Sequence, residues 1–214
     1  MIRKVLLFQV LLIAAALAAT VVVYPHIPAQ IPFHWNFHME PDLYGPRWAL
    51  YLFGPGFMTA TMLLTWLLPW LSPQRFQVSS FRSTFRLVML MMFSMMAYMD
   101  AVMLWADSGR PMHAGRAILG GVFLFMALFG NVMGKLRRNF FIGVRTPWTL
   151  ASERVWNATH RFAARIWMAA GLLGLVLSLA GLYVLALFAL LATALASVVY
   201  SLVLYKQLER RGEL

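Results

Sequence analysis

The sequence predicts an all-α polytopic membrane protein. It has six transmembrane helices, both termini in the cytoplasm, and a small structured extracytoplasmic loop after helix 1. Three observations carry this. The 214 residues are 62% hydrophobic and only 12% charged, more apolar surface than a soluble domain of this size needs. The apolar residues fall in blocks long enough to cross a ~30 Å hydrocarbon core rather than along one face. The basic residues then fall almost wholly on one side of those blocks. With the N-terminus inside, Arg3, Lys4, Arg75, Arg82, Arg86, Lys135, Arg137, Arg138, Arg145, Arg154, Arg161, Arg165, Lys206, Arg210 and Arg211 are cytoplasmic, and only Arg47, Arg110 and Arg116 are outside. That asymmetry fixes the orientation. It also accounts for the net charge of +11, so direct nucleic-acid binding is not expected.

The first span is the apolar run Val5 to Val23 behind Arg3-Lys4. Ala16-Leu17-Ala18 offers a signal-peptidase pattern, but the run continues past it, which favours an uncleaved anchor. The outer loop 25–47 holds five prolines, which exclude a regular helix. In it Ile31, Phe33, Trp35 and Phe37 alternate with Pro32, His34, Asn36 and His38, a period-two pattern for a short amphipathic strand. Glu40-Pro41-Asp42 reads as a turn. Trp48 to Leu71 is the second span, with a kink at Gly54-Pro55-Gly56. These elements form a first unit, 1–72.

The second unit, 73–214, is a four-helix membrane region. Its spans run from Phe85 to Ala106 and from Arg116 to Gly134. The forty residues Ile166 to Tyr205 are free of charge and make two spans with a turn near Gly181. Asp107 to Gly115 is a short outer turn. Between the fourth and fifth spans lies the basic motif loop 135–165. There Thr146-Pro147 fits a helix N-cap with Pro in the first turn, and Thr149 and Ser152 are alternative caps. A helix from about Leu150 into the fifth span places Ala151, Val155, Ala158, Phe162 and Ile166 on an apolar stripe. Arg154, Asn157, Arg161 and Arg165 form a polar one, with Trp156, His160 and Trp167 between.

Few residues suggest chemistry. The chain has no cysteine, so disulfides, thiol nucleophiles and Cys-based zinc sites are excluded. His34 and His38 near Glu40 and Asp42 lack a diagnostic metal spacing, and no metal or other cofactor is expected. The methionines of the third span (Met89, Met91, Met92, Met95, Met96, Met99, Met103) spread around the helix and read as gap-filling. No nucleophile sits beside His160 and Glu153, and no catalytic motif is readable, so no enzyme is expected. The intramembrane polar residues are Asp100 and Asn131. Asp100 supports an alternative class, a small proton-coupled transporter or channel. An envelope-stress factor without a dedicated toxin is a third.

The run Gly130-Asn131, Lys135, Asn139, Ile142-Gly143-Val144-Arg145-Thr146-Pro147-Trp148-Thr149-Leu150, Trp156 and Thr159-His160-Arg161 resembles the SdpI family. Those are the immunity proteins against the sporulation-delaying-protein toxin, together with their bacterial relatives. Ile31-Pro32, His34, Pro41-Asp42, Tyr44-Gly45 and Arg47-Trp48 resemble the uncharacterised extracytoplasmic domain that often precedes it. Gly134 and Arg138 depart from the prolines frequent in relatives. His38-Met39 stands where a glycine usually precedes x-Pro-Asp. The resemblance implies a multi-pass protein of the bacterial inner or plasma membrane that confers immunity to a secreted peptide toxin. It also implies signalling, by holding a transcriptional repressor at the membrane. Topology then assigns the parts. The cytoplasmic motif (Asn139, Gly143, Arg145, Thr146, Pro147, Trp148, Thr149, Trp156, His160, Arg161) is the partner-binding surface. The outer loop (His34, Trp35, Pro41, Asp42) is the toxin-sensing one.

Overall fold

Six helices among the described residues are long and apolar enough to cross a membrane. The computed structural model describes residues 2–71, 81–109 and 112–214. The connection after Leu71, with Arg75, and the outer Arg110 lie outside the described residues.

Helix α1 (Ile2–Val23) leads through a 3₁₀ turn, Tyr24–His26, into a two-stranded antiparallel hairpin of β1 (Gln30–Trp35) and β2 (Pro41–Pro46). The period-two strand is present but shorter than the alternation, and it has a partner. Glu40-Pro41-Asp42 is not the turn: Pro41 and Asp42 belong to β2. The reversal lies at Asn36–Met39. The Asn36 side chain accepts the amides of His38 (2.9 Å) and Glu40 (3.1 Å), the backbone-mimicking turn that Asn favours. Met39 takes φ of 61° there, doing the work of the missing glycine. Ile31 of β1 packs with Ile27, Leu50 and Leu104, which fastens the hairpin to the outer end of the bundle.

The second span is α2 (Ala49–Tyr51), a π-helical turn Leu52–Gly56, and α3 (Phe57–Leu71). The expected irregularity at Gly54-Pro55-Gly56 is this wide turn. It accommodates a proline that an α-helix would leave with an unmade bond. The third span, α4 (Arg82–Asp107), and the fourth, α5 (Ala114–Met133), start or end a few residues beyond their expected limits. Asp107, expected in a turn, is the last helical residue.

The motif differs most from expectation. It holds a separate short helix α6 (Pro147–Ala151), a break at Ser152, and then α7 (Glu153–Leu179) running unbroken through the membrane. Ser152 breaks the helix because it is an N-cap: its backbone is extended and its side chain accepts the Val155 amide. The buried face of α7 near the motif is Val155, Trp156, Thr159, His160 and Ala163. Trp156 and His160 are therefore core rather than border, whereas Ala151 is exposed. Helix α8 (Tyr183–Arg210) follows a turn whose Gly181 has φ of +80°.

The α5–α7 pair is the tightest contact. A Cβ on Gly130 would come within 2.6 Å of the Met168 nitrogen, and one on Gly171 within 2.5 Å of the Ala127 nitrogen. In a bilayer, where lipid tails compete on equal terms, close backbone approach through small residues drives such association. Leu185, Phe188, Leu191 and Leu195 of α8 face outward, as a lipid-facing surface requires.

Candidate functional site

The motif loop is held by side chains that satisfy its backbone. Asn139 is fully buried. Its Oδ1 accepts the Phe141 (2.7 Å) and Ile142 (2.8 Å) amides, and its Nδ2 donates to the Arg137 (2.8 Å) and Ile142 (3.2 Å) carbonyls. Both donors and both lone pairs of the amide are used.

The next anchor is His160 on α7. Its Nδ1 lies 2.8 Å from the Trp156 carbonyl, and its Nε2 accepts the Val144 amide at 3.1 Å. A carbonyl only accepts and an amide only donates, so the ring is the neutral tautomer with its proton on Nδ1. Trp156 stacks on the imidazole with centroids 4.0 Å apart, and its indole donates to the Leu136 carbonyl at 2.8 Å. Two side chains of α7 thus strap the loop at Leu136 and Val144. Gly143 makes the approach possible. Its φ is +111°, and a Cβ there would strike His160 Nε2.

Thr146 and Thr149 close a capping box around α6. Thr146 receives the Thr149 amide, and Thr149 Oγ1 receives the Thr146 amide at 2.9 Å while it donates to the Val144 carbonyl at 2.9 Å. Pro147 occupies the first turn, where no amide is needed. Arg138 donates to the Leu150 (3.2 Å) and Ala151 (3.3 Å) carbonyls at the other end of α6. The Trp148 indole donates to Ser201 Oγ, tying the motif to α8. Arg145 donates to the Phe140 carbonyl.

The ten motif residues predicted from sequence lie on the loop, on α6 and on the first turns of α7, in two layers. Asn139, Thr149, Trp156 and His160 are buried, with their polar atoms spent inside the loop. Gly143, Thr146 and Trp148 are half-buried, and Arg145, Pro147 and Arg161 are exposed. Arg154 pairs with Glu213 at 2.7 Å. Sequence reasoning missed Ser201 as the indole's acceptor. Its signal was the Thr193, Ser197, Ser201 stripe at helical spacing, buried on α8, a pattern that marks interhelical bonding in membranes.

Outside, His34 Nδ1 and Asp42 Oδ1 face each other across the hairpin at 2.6 Å, both exposed. Trp35 pairs in register with Pro41. His38 lies in the reversal, not on the strand face of His34. In the membrane region Asp100 is buried on α4 against Gly54, and Asn131 is exposed on α5. Sequence reasoning missed Asp107. It is 6% exposed, and neither carboxylate oxygen has a hydrogen-bond partner among the described residues.

Residues 135–204 match the SdpI/YfhL protein family, and residues 11–59 match a domain of unknown function, DUF1648. The chain is 26% identical over 209 residues to a protein of Bacillus subtilis (strain 168), Immunity protein SdpI, covering 94% of this chain and 96% of that one. No solved structure matches the chain. The resemblance carried by the motif and the outer loop is thereby shown, and the chain is a multi-pass bacterial membrane protein.

Proposed function

We propose, from its place beside the SdpI family, that this chain is a membrane immunity protein that protects the cell from a secreted peptide toxin. The observation that carries the reading is the length of the match. The similarity to an immunity protein runs through 94% of the chain, taking in both the outer hairpin and the cytoplasmic motif. A protein that must answer an extracellular peptide needs an exposed outer element, and the His34–Asp42 hairpin supplies one. It packs on the bundle through Ile31, against Leu104 of α4.

The same reading includes signalling. Of the exposed rim, Arg145 stands on the internally bonded loop, Pro147 at the start of α6 and Arg161 on α7. A cationic face of fixed shape suits an acidic surface on a cytoplasmic transcriptional repressor. Catalysis forms no part of the proposal: the buried side chains Asn139, Thr149, Trp156 and His160 spend their hydrogen bonds on holding the loop and α6.

The test is expression in a toxin-sensitive strain. Survival should rise with the parent chain and fall back with Asp42→Ala in the hairpin. Equal killing with and without the parent chain would end the immunity reading. Arg161→Glu should release a co-expressed repressor from the membrane fraction while protection persists; unchanged repressor distribution would end the signalling half alone.

A further inference from the structure

A cleft of about 230 Å³ opens where the motif meets the membrane. By comparison, an apolar cavity of ~150 Å³ admits benzene. Phe129 of α5, Trp167 of α7 and Ala194 and Val198 of α8 form its walls, and the segment Gly143 to Thr146 forms its rim. The walls offer no free polar atom. The Ser197 hydroxyl in the lining accepts the Trp167 indole at 3.0 Å and donates to the Thr193 carbonyl at 2.9 Å. Val198 and the adjacent Leu195 are exposed on the lipid-facing surface, so the mouth opens toward hydrocarbon. Among the described residues of the lining, Arg145 is the one charged group, and its guanidinium is held by a bond to the Phe140 carbonyl. Ala194 lies seven residues from Ser201, the residue that holds Trp148 of the motif. At ~1.5 Å per residue the cleft therefore runs from the cytoplasmic interface about 10 Å into the inner leaflet.

One oriented cation above an apolar channel, on the cytoplasmic side, matches a molecule with an anionic head and a hydrocarbon tail. We propose that the cleft binds an anionic phospholipid of the inner leaflet, with its phosphate on Arg145 and an acyl chain along Phe129, Trp167 and Ala194. The exposed Lys135 and Arg137 on the same loop raise the local concentration of anionic headgroups. Occupancy places lipid against Gly143 and Val144, the part of the motif strapped to His160. The inference goes beyond the immunity reading and does not rest on it, since binding is measured without toxin or repressor.

The experiment titrates the purified full chain in detergent with phosphatidylglycerol and phosphatidylcholine of identical acyl chains, read by native mass spectrometry. One phosphatidylglycerol should be retained with about fivefold preference, the worth of a single basic residue near an anionic surface. Inorganic phosphate should not displace it. Arg145→Gln should bring phosphatidylglycerol down to the phosphatidylcholine level. Ala194→Leu should weaken both lipids and keep their ratio. Equal binding of the two lipids to the parent overturns the proposal, as does displacement by inorganic phosphate or full preference in Arg145→Gln. Ala194→Leu touches none of the motif's hydrogen bonds, so it decides the matter if Arg145→Gln loosens the loop. Undiminished lipid binding in Ala194→Leu overturns the proposal.

Discussion

Gly143 and His160 exclude each other's larger alternatives: a Cβ on Gly143 would occupy the place of the His160 Nε2 that receives the Val144 amide. Gly143→Ala therefore carries two penalties. The positive φ alone costs about 1–3 kcal/mol, and the imidazole must also be displaced. His160→Ala relieves the clash but strands the half-buried Val144 amide, at up to ~1 kcal/mol. Both single variants should lower the unfolding temperature in detergent. The double variant should lose less than the sum of the two. Strict additivity would show that the two residues do not share the space.

Asn139 invites a second test at single-amide resolution. Its side chain accepts the Phe141 and Ile142 amides. Asn139→Ala should unprotect both in hydrogen exchange, while the Val155 amide, capped by Ser152, stays slow. Two half-buried donors left unmet, at ~1 kcal/mol each, are enough to open the loop locally. Unchanged protection at Phe141 and Ile142 would falsify the assignment of Asn139 as the hub.

Span number was legible because it rests on a one-dimensional quantity. Run length sets the spans. Thr146-Pro147 was legible as a helix start for the same reason: capping is local. The break at Ser152 was legible only as an alternative cap, not as a second helix start. Val155 to Ile166 continues a helical pattern, and only the extended backbone of Ser152 shows that α6 and α7 are separate. The motif residues were recognised as a group, but their division into framework and rim was not visible. Asn139 and His160 look like exposed polar residues in a basic loop until their partners are placed. The partner of Trp148 lies 53 positions away; the Thr193, Ser197, Ser201 stripe marks a bonding face on α8 but not which residue it meets. The second β-strand was hidden by Pro41 and Pro46, which suit an edge strand but read as turn residues.

The hairpin lets stability be tested apart from the proposed toxin contact. His34 and Asp42 are exposed, and such pairs contribute ~0–1 kcal/mol. Asp42→Asn should leave the unfolding temperature nearly unchanged. If the hairpin contacts the toxin, the same substitution should reduce survival of expressing cells at a toxin dose the parent withstands. Full protection by Asp42→Asn and His34→Ala alike would remove this pair from the sensing surface.

Asp100 is buried on α4, and Gly54 lies so close that a Cβ there would meet Asp100 Oδ1. A carboxylate at this depth is costly without a reason, and the π-helical turn brings the Gly54 backbone to it. Gly54→Ala should therefore destabilise the first unit. Shortening the acid in Asp100→Ala should restore much of the loss in the double variant. The coupling expected for residues in direct contact is about 0.5–3 kcal/mol, read from unfolding in detergent. Additivity within ~0.3–0.5 kcal/mol would mean that Gly54 is not spaced for the carboxylate. Asp100→Asn keeps the volume and removes the charge, so it addresses the transporter alternative separately. In reconstituted vesicles the parent should show no proton-linked flux if immunity is the function. Flux in the parent that vanishes in Asp100→Asn would instead make the carboxylate a relay and transport the primary activity.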